Sequence, residues 1–369
     1  MEAKEFQFLF TKKRYGDSII QLKDGKLLIY HFTNFYFVYI YNEKTFQKLF
    51  EINLFEIIQK FDEEIKNDGG LNGKERKRNE REYNFYDNSS SIKEISNGLI
   101  LIGLNKYLIE LKRNKHTYDC KIVKKISDSI LDLNVLRNRR IIIITKKNIY
   151  ISYKMDKEYI IKAEYLFKDD WKSVTKSNPS HYRGGYDEYF SSYILPNNRL
   201  LLYSFSDGYC FRRCGNAPPR PFSDSKITFI DLTNFEEIFS TKTFYLKAGY
   251  VVVKNYIIIQ EGNNFTIYDI NSLKIVKNIN IPHIYGNIAN LYDGNLIAFS
   301  KDEEGKKIRI YEIENNDLIE KCKVKGNLIF KIEDDKDELY DNRYLLALKD
   351  KRIIILCKNN LYIIRINDN

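Results

Sequence analysis

Tryptophan occurs once in the 369 residues, methionine twice, histidine four times, cysteine five times and proline six times. Each scarcity closes off a class of answer. Five cysteines, odd in number and widely spaced, make no disulfide framework, and a chain of this length buries a core without such staples. The FQFLF run near the start is too short and too interrupted for the core of a secretory signal. A reducing setting, cytoplasm or nucleus, is therefore expected. No apolar run approaches the ~18 to 20 residues of a membrane-spanning helix; the longest are of the kind at Ile141 to Ile144. The histidines, His31, His116, His181 and His283, have no metal-ligand spacing. Cys210 and Cys214, even joined by His181, fill three of four zinc positions with no fourth ligand, so no metal and no cofactor is expected. GxSxG and GxGxxG are absent, and GLNGK at Gly70 to Lys74 lacks the full spacing and the Ser or Thr of a phosphate loop. No catalytic residue can be assigned, and a non-enzymatic protein is the expectation.

The chain has a formal charge of +10. Asn, Lys, Ile and Tyr are all abundant, so a biased background accounts for much of the lysine. Placement adds a second account, because Lys and Arg outnumber Asp and Glu sixteen to eight between residues 91 and 167. Lys112, Arg113 and Lys115, and then Arg137, Arg139 and Arg140, fall at strand ends and turns, where they are solvated and able to meet phosphates. Aromatic platforms beside them are few beyond Tyr107, Tyr118 and Tyr150, which points to weak polyanion affinity rather than base reading.

What the chain has in quantity is short, β-branched apolar runs separated by turn residues. Ser18–Leu22, Lys26–Phe32, Tyr36–Asn42 and Phe46–Ile52 predict four strands with tight connections, one through Asp24-Gly25. The same four-strand phrase returns near residues 91, 129, 191, 249 and 286, and a shortened copy starts at 344. The second strand of each phrase is the most apolar, as in LILIGL, RIIIITK and RLLLYSF. Continuous apolarity instead of alternation predicts burial on both faces. Four-stranded meanders at intervals of about 40 residues are the mark of a β-propeller, with radially arranged sheets around a central channel. The last phrase has three strands and then ends, and the segment from residue 6 to 10 has no sheet of its own. The expectation is thus a single all-β domain over 1–369, a seven-bladed propeller of four-stranded antiparallel blades whose last blade is completed by the N-terminal strand.

On this phrasing the chain resembles the WD40-like propeller superfamily over nearly its whole length. The Trp-Asp and Gly-His dipeptides are absent, and Trp171 lies outside the strand where the first would fall. The resemblance implies the fold alone. Phe211-Arg212-Arg213 also resembles the Phe-Arg-Arg-Gly motif of phosphoinositide-binding propellers, with Cys214 in place of the glycine.

Four long segments interrupt the phrases, at 54–90, 168–188, 207–224 and 325–342. In propeller topology all four connections open on one face, and long loops in compact folds concentrate function. Leu54, Ile58, Phe61 and Ile65 have helical spacing with Asn53 as a cap, followed by a mixed-charge run of unstructured composition. The 331–341 stretch is acidic but lacks the alternating ligands and turn glycine of a calcium loop. The segments flanking the fourth phrase offer Trp171, Tyr182, Arg183, Tyr186, Phe211, Arg212, Arg213 and Arg220, residue types that dominate interface hot spots. A protein or peptide partner at this face is the leading expectation, with the chain acting as a monomer or as a subunit of a hetero-complex. The alternatives are an acidic polymer or lipid headgroup on the basic second and third phrases, and an enzyme with a site in the central channel.

Overall fold

The structure is a computed structural model. It describes residues 3–7, 18–31, 37–45, 47–69, 90–115, 117–136, 140–145, 148–155, 158–166, 187–210, 220–243, 248–290, 294–302, 305–323, 344–347, 352–357 and 360–365. Strand β1 (Ala3–Gln7) comes first in the chain and is used last. Sheet one is β2 (Ser18–Gln21), β3 (Leu27–His31), β4 (Phe37–Tyr41) and β5 (Lys48–Asn53), and it leads into helix α1 (Leu54–Gly69). Sheet two is β6 (Ser90–Ser96), β7 (Leu99–Leu104), β8 (Tyr107–Asn114) and β9 (Thr117–Lys125). Sheet three is β10 (Ile130–Val135), β11 (Ile141–Thr145), β12 (Asn148–Met155) and β13 (Glu158–Leu166). Sheet four is β14 (Asp187–Leu195), β15 (Arg199–Cys210), β16 (Arg220–Asp231) and β17 (Glu236–Thr243). Sheet five is β18 (Ala248–Val253), β19 (Tyr256–Glu261), β20 (Asn264–Asp269) and β21 (Ile275–Asn280). Sheet six is β22 (Ile284–Asn290), β23 (Leu296–Asp302), β24 (Gly305–Glu314) and β25 (Asp317–Lys323). The last sheet takes β26 (Tyr344–Ala347), β27 (Arg352–Cys357) and β28 (Asn360–Arg365), and β1 adds to it as a fourth strand. Ala3 lies opposite Ile364 and Gln7 opposite Asn360 in that pairing.

The apolar second strands β7, β11, β15 and β19 are buried on both faces because each is shared between two cores. On β11, Ile142 and Ile144 pack toward sheet four, and Ile141 and Ile143 pack toward sheet two. On β7, Ile100, Ile102 and Leu104 pack against sheet one, whereas Leu101 faces sheet three. Similar cores join sheets four to five and five to six. Full burial of each such side chain contributes about 1.5 to 3 kcal/mol, so the seams are the main source of stability. The first strands approach one another in succession. β10 packs between β6 and β14, β18 meets β22, and β26 meets both β22 and β2.

Sheets two and three pack tightly at Gly103. A Cβ built there would stand 2.5 Å from Ile130 Cγ2. Glycine is retained because no side chain fits, and Gly103→Ala is expected to lower stability by about 1 to 3 kcal/mol through overpacking. A urea titration checks this through its midpoint.

In each of the first six sheets the register shifts between the third and fourth strands. The extra residue increases the local twist and turns the outer strand away from edge-to-edge pairing.

Candidate functional sites at the two ends of the ring

Antiparallel order gives the assembly two ends. First and third strands begin at one, here the entry end, and finish at the other, the exit end. Connections between sheets, and from second to third strands, lie at the entry end.

Helix α1 covers the entry end over sheets one and two. Asn53 caps it, its Oδ1 accepting from the Phe55 and Glu56 amides at 3.1 and 3.4 Å while its Nδ2 donates to Glu56 Oε1 at 2.8 Å. Leu54 and Ile58 are buried in the core between these sheets, with Phe61 packed alongside. Phe61 meets the Tyr107 ring edge-on at 6.4 Å. The Tyr107 hydroxyl donates to Asp62 Oδ2 at 2.7 Å, and Lys125 lies 3.1 Å from Asp62 Oδ1. The apolar face and this polar clip hold the helix against the sheets.

At sheet four the structure redraws the 207–224 insertion. β15 runs on to Cys210 and β16 restarts at Arg220, paired throughout from Arg199 opposite Asp231 to Cys210 opposite Arg220. β14 accompanies this hairpin only as far as Asp207, and β17 only as far as Ser225. The last three pairs therefore form a two-stranded ribbon that extends beyond its sheet. Continued backbone pairing converts half of the expected loop into strand and leaves 211–219 as the tip. Arg220 is placed at the base of that tip. Trp171, Tyr182, Arg183, Tyr186, Phe211, Arg212 and Arg213 lie outside the described residues, as do the mixed-charge and acidic segments. The 168–188 segment is shorter at its far side, since β14 starts at Asp187.

The two basic runs lie at the exit end of neighbouring sheets: Lys112 to Lys115 span the end of β8, and Arg140 precedes β11. Arg137 and Arg139 lie outside the described residues. Lys112 and Lys115 are exposed and Arg140 is half-buried. Arg113 is occupied. Its guanidinium pairs with Asp24 of sheet one and donates to Asn97 Oδ1 at 3.2 Å. Burial of Asp24 works against ionisation, but the hydrogen bonds from Lys26 and the charges of Lys26 and Arg113 prevail and hold its pKa below the usual carboxylate value. Glu94 is engaged too, accepting from the Lys23 amide at 2.5 Å and the Gly98 amide at 3.1 Å. Gly98 has φ +76°, and a Cβ there would lie 2.9 Å from Arg113 Cβ, so this turn needs glycine twice over.

A third cluster joins the first strands. Asp132 on β10 is buried and takes four hydrogen bonds. Oδ1 accepts from Ser91 Oγ at 2.5 Å and from its neighbour's amide, Leu133 N, at 2.8 Å. Oδ2 accepts from the Ser192 amide at 2.7 Å and from Ser192 Oγ at 2.6 Å. The Ser91 hydroxyl in turn accepts from Leu133 N at 3.1 Å, and Ser192 Oγ from Asn134 Nδ2 at 2.5 Å. One carboxylate thus ties sheets two, three and four. Sequence reasoning passed over it because an isolated Asp in a strand carries no local signal.

Between the outer strands of sheets three and two, Tyr159 donates to the buried Glu110 at 3.0 Å, and burial, reinforced by the Glu110 charge, pushes its phenol pKa well up. The Cys120 thiol is pushed up to about 12 by burial, which leaves it inert as a nucleophile.

No protein-family model matches the sequence, and no curated protein sequence does so either. Solved structures do match over nearly the full chain. The β-propeller domain of Cps50 (Swd1) from Myceliophteria thermophila superposes with a TM-score of 0.54 at 9% identity, covering 99% of this chain and all of that one. The fold is a β-propeller. Virginiamycin B lyase from Staphylococcus aureus aligns at 0.52 with 11% identity over 98% of both chains. The Dos1 propeller aligns at 0.51 with 8% identity, over 93% of this chain and 76% of that one. At such identities the likeness establishes the fold and leaves function to the site. In a propeller the first strands line the central channel, so the Asp132 clasp belongs to the channel wall. Every one of its described lone-pair directions is taken. Among the described residues, no helix is long and apolar enough to cross a membrane.

Proposed function

We propose that the chain closes into a seven-bladed ring and serves as a non-enzymatic scaffold that binds a protein or peptide partner at the entry end, around the fourth blade, alone or as a subunit of a hetero-complex. One observation carries this reading. The strand ends that flank all four long segments lie at the entry end, where α1 and the blade-four ribbon already stand. Rigid elements that present long loops on one face are the usual construction of a recognition surface. Tyr182, Arg183, Tyr186, Trp171, Phe211, Arg212, Arg213 and Arg220 supply the anchoring residue types. The scaffold reading is preferred to a channel enzyme because Asp132, a described carboxylate of the channel wall, is saturated by donors, and a general base needs a free lone pair within reach of substrate. The cysteine pattern favours a reducing compartment, cytoplasm or nucleus.

Arg212→Glu/Arg213→Glu tests the reading by affinity capture from native lysate. The substituted protein is expected to lose its principal partner while retaining the wild-type melting curve. An unchanged set of captured proteins overturns the assignment to this loop.

A further inference from the structure

The exit end carries a site that the scaffold reading does not use. Two of its acids are committed to the fold, Asp24 to Arg113 and Lys26 and Glu94 to backbone amides of two sheets, while Asp119 lies opposite Lys112 and accepts from Asn114 Nδ2 at 3.4 Å. The lysines around them are not so committed. Lys44 in the turn after β4, and Lys112 and Lys115 at the end of β8, are exposed and have no carboxylate partner among the described residues. Lys23, also exposed, donates through Nζ to the Ile95 carbonyl at 2.9 Å, while its backbone amide meets Glu94. Arg140 adds a cation on sheet three. These cations stand on exit-end turns of three consecutive sheets, and the same turns carry neutral donors and acceptors in Thr45, Asn97, Asn114 and Thr117, all exposed.

We propose that this exit-end set of cations binds a linear phosphate polymer, a single-stranded nucleic acid, through its backbone. Cations spread over three consecutive sheets match phosphates repeated along a chain, and contacts confined to lysine give affinity without reading bases. A membrane surface fits less well, because stable attachment combines charge with inserted apolar groups, and among the described residues Leu49 is the one exposed large apolar side chain near these turns. The site stands apart from the partner face, at the opposite end of the ring, and its success or failure is independent of that reading.

The test is fluorescence anisotropy with a labelled 20-nucleotide single-stranded RNA over a salt series. Lys44→Glu/Lys112→Glu/Lys115→Glu is compared with Lys60→Glu/Lys106→Glu/Lys124→Glu, which removes the same charge. The control lysines are exposed and lie on α1, in the turn after β7 and at the far end of β9. Loss of three phosphate contacts lowers the slope of log affinity against log salt by about 2 and weakens binding roughly a hundredfold at 0.1 M salt. The control keeps the wild-type slope. Equal losses in both variants mean that net charge alone is responsible and overturn the site. Displacement of the RNA by polyglutamate at equal charge overturns the phosphate assignment. Capture on phosphatidylserine vesicles without RNA binding overturns the choice of polymer.

Discussion

Deletion of residues 1–12 is expected to leave an insoluble or molten protein. β1 is the fourth strand of the last sheet, and its five-residue register on β28 ties the start of the chain to its end. Without it, that sheet has three strands, the edge of β28 is open to other chains, and the covalent path joining the first and last sheets is gone. The seams on either side of the last sheet, β26 against β22 and β26 against β2, then have only side-chain packing to hold them. Domains have a net stability of about 5 to 15 kcal/mol, and removal of a whole strand is of that order. Size-exclusion chromatography, near-ultraviolet circular dichroism and a thermal melt read the outcome. A truncated protein that elutes as a monomer with an unchanged melting point would refute ring closure through β1.

Asp132→Ala is expected to be the most damaging single substitution in the channel wall. It strands the hydroxyls of Ser91 and Ser192 and the amides of Ser192 and Leu133 in a buried place, and each unpaired polar group costs about 1 to 3 kcal/mol. Partial rearrangement, such as the retained contact between Leu133 N and Ser91 Oγ, limits the total to about 3 to 5 kcal/mol. For a chain of this size that corresponds to a fall in melting temperature of roughly 5 °C. Asp132→Asn keeps the shape and one acceptor oxygen, and a smaller loss is expected. Asp119→Ala, at an exposed position on β9, should change stability by no more than about 0.5 kcal/mol. A drop for Asp132→Ala no larger than that of Asp119→Ala would show that the clasp does not hold the three sheets together.

The clasp also bears on how propellers of this type diverge. The same overall fold is found in a domain of Cps50 (Swd1) and in a lyase, so the sheets themselves do not select a chemistry. Here the channel-wall carboxylate is committed to joining sheets, while the variable material stands at the two ends. The entry end has α1 and the extended hairpin. The exit end has exposed lysines beside two acids, Asp24 and Glu94, that are committed to structure. The two surfaces are separated by the depth of the sheets, which lets one end be altered without disturbing the other.

The strand phrases were legible because their signals are local. A β-branched run, a turn residue and an apolar second strand are all contained within a few residues, and LILIGL or RIIIITK already implied burial on both faces. The cap at Asn53 was legible for the same reason, since it acts on amides two and three residues ahead. The hairpin of sheet four was harder. Its proline, glycine and cysteine content suggested a loop from 207 to 224, whereas backbone pairing carried the strands through Asp207–Cys210 and Arg220–Asp224, because hydrogen bonds between neighbouring strands override local composition.

The sequence by itself therefore determined the all-β class, the repeated four-strand phrase, the helix after the first phrase and the positions where long segments interrupt the repeat. Tertiary structure alone decided which charges are spent and which are left. Arg113 looked like one member of a basic run until Asp24, 89 residues away, was found beside it. Asp132 was unremarkable until Ser91 and Ser192, 41 and 60 residues away, converged on its two oxygens. Such contacts form between neighbouring sheets after the strands have paired, and their energies depend on distances that no local pattern encodes.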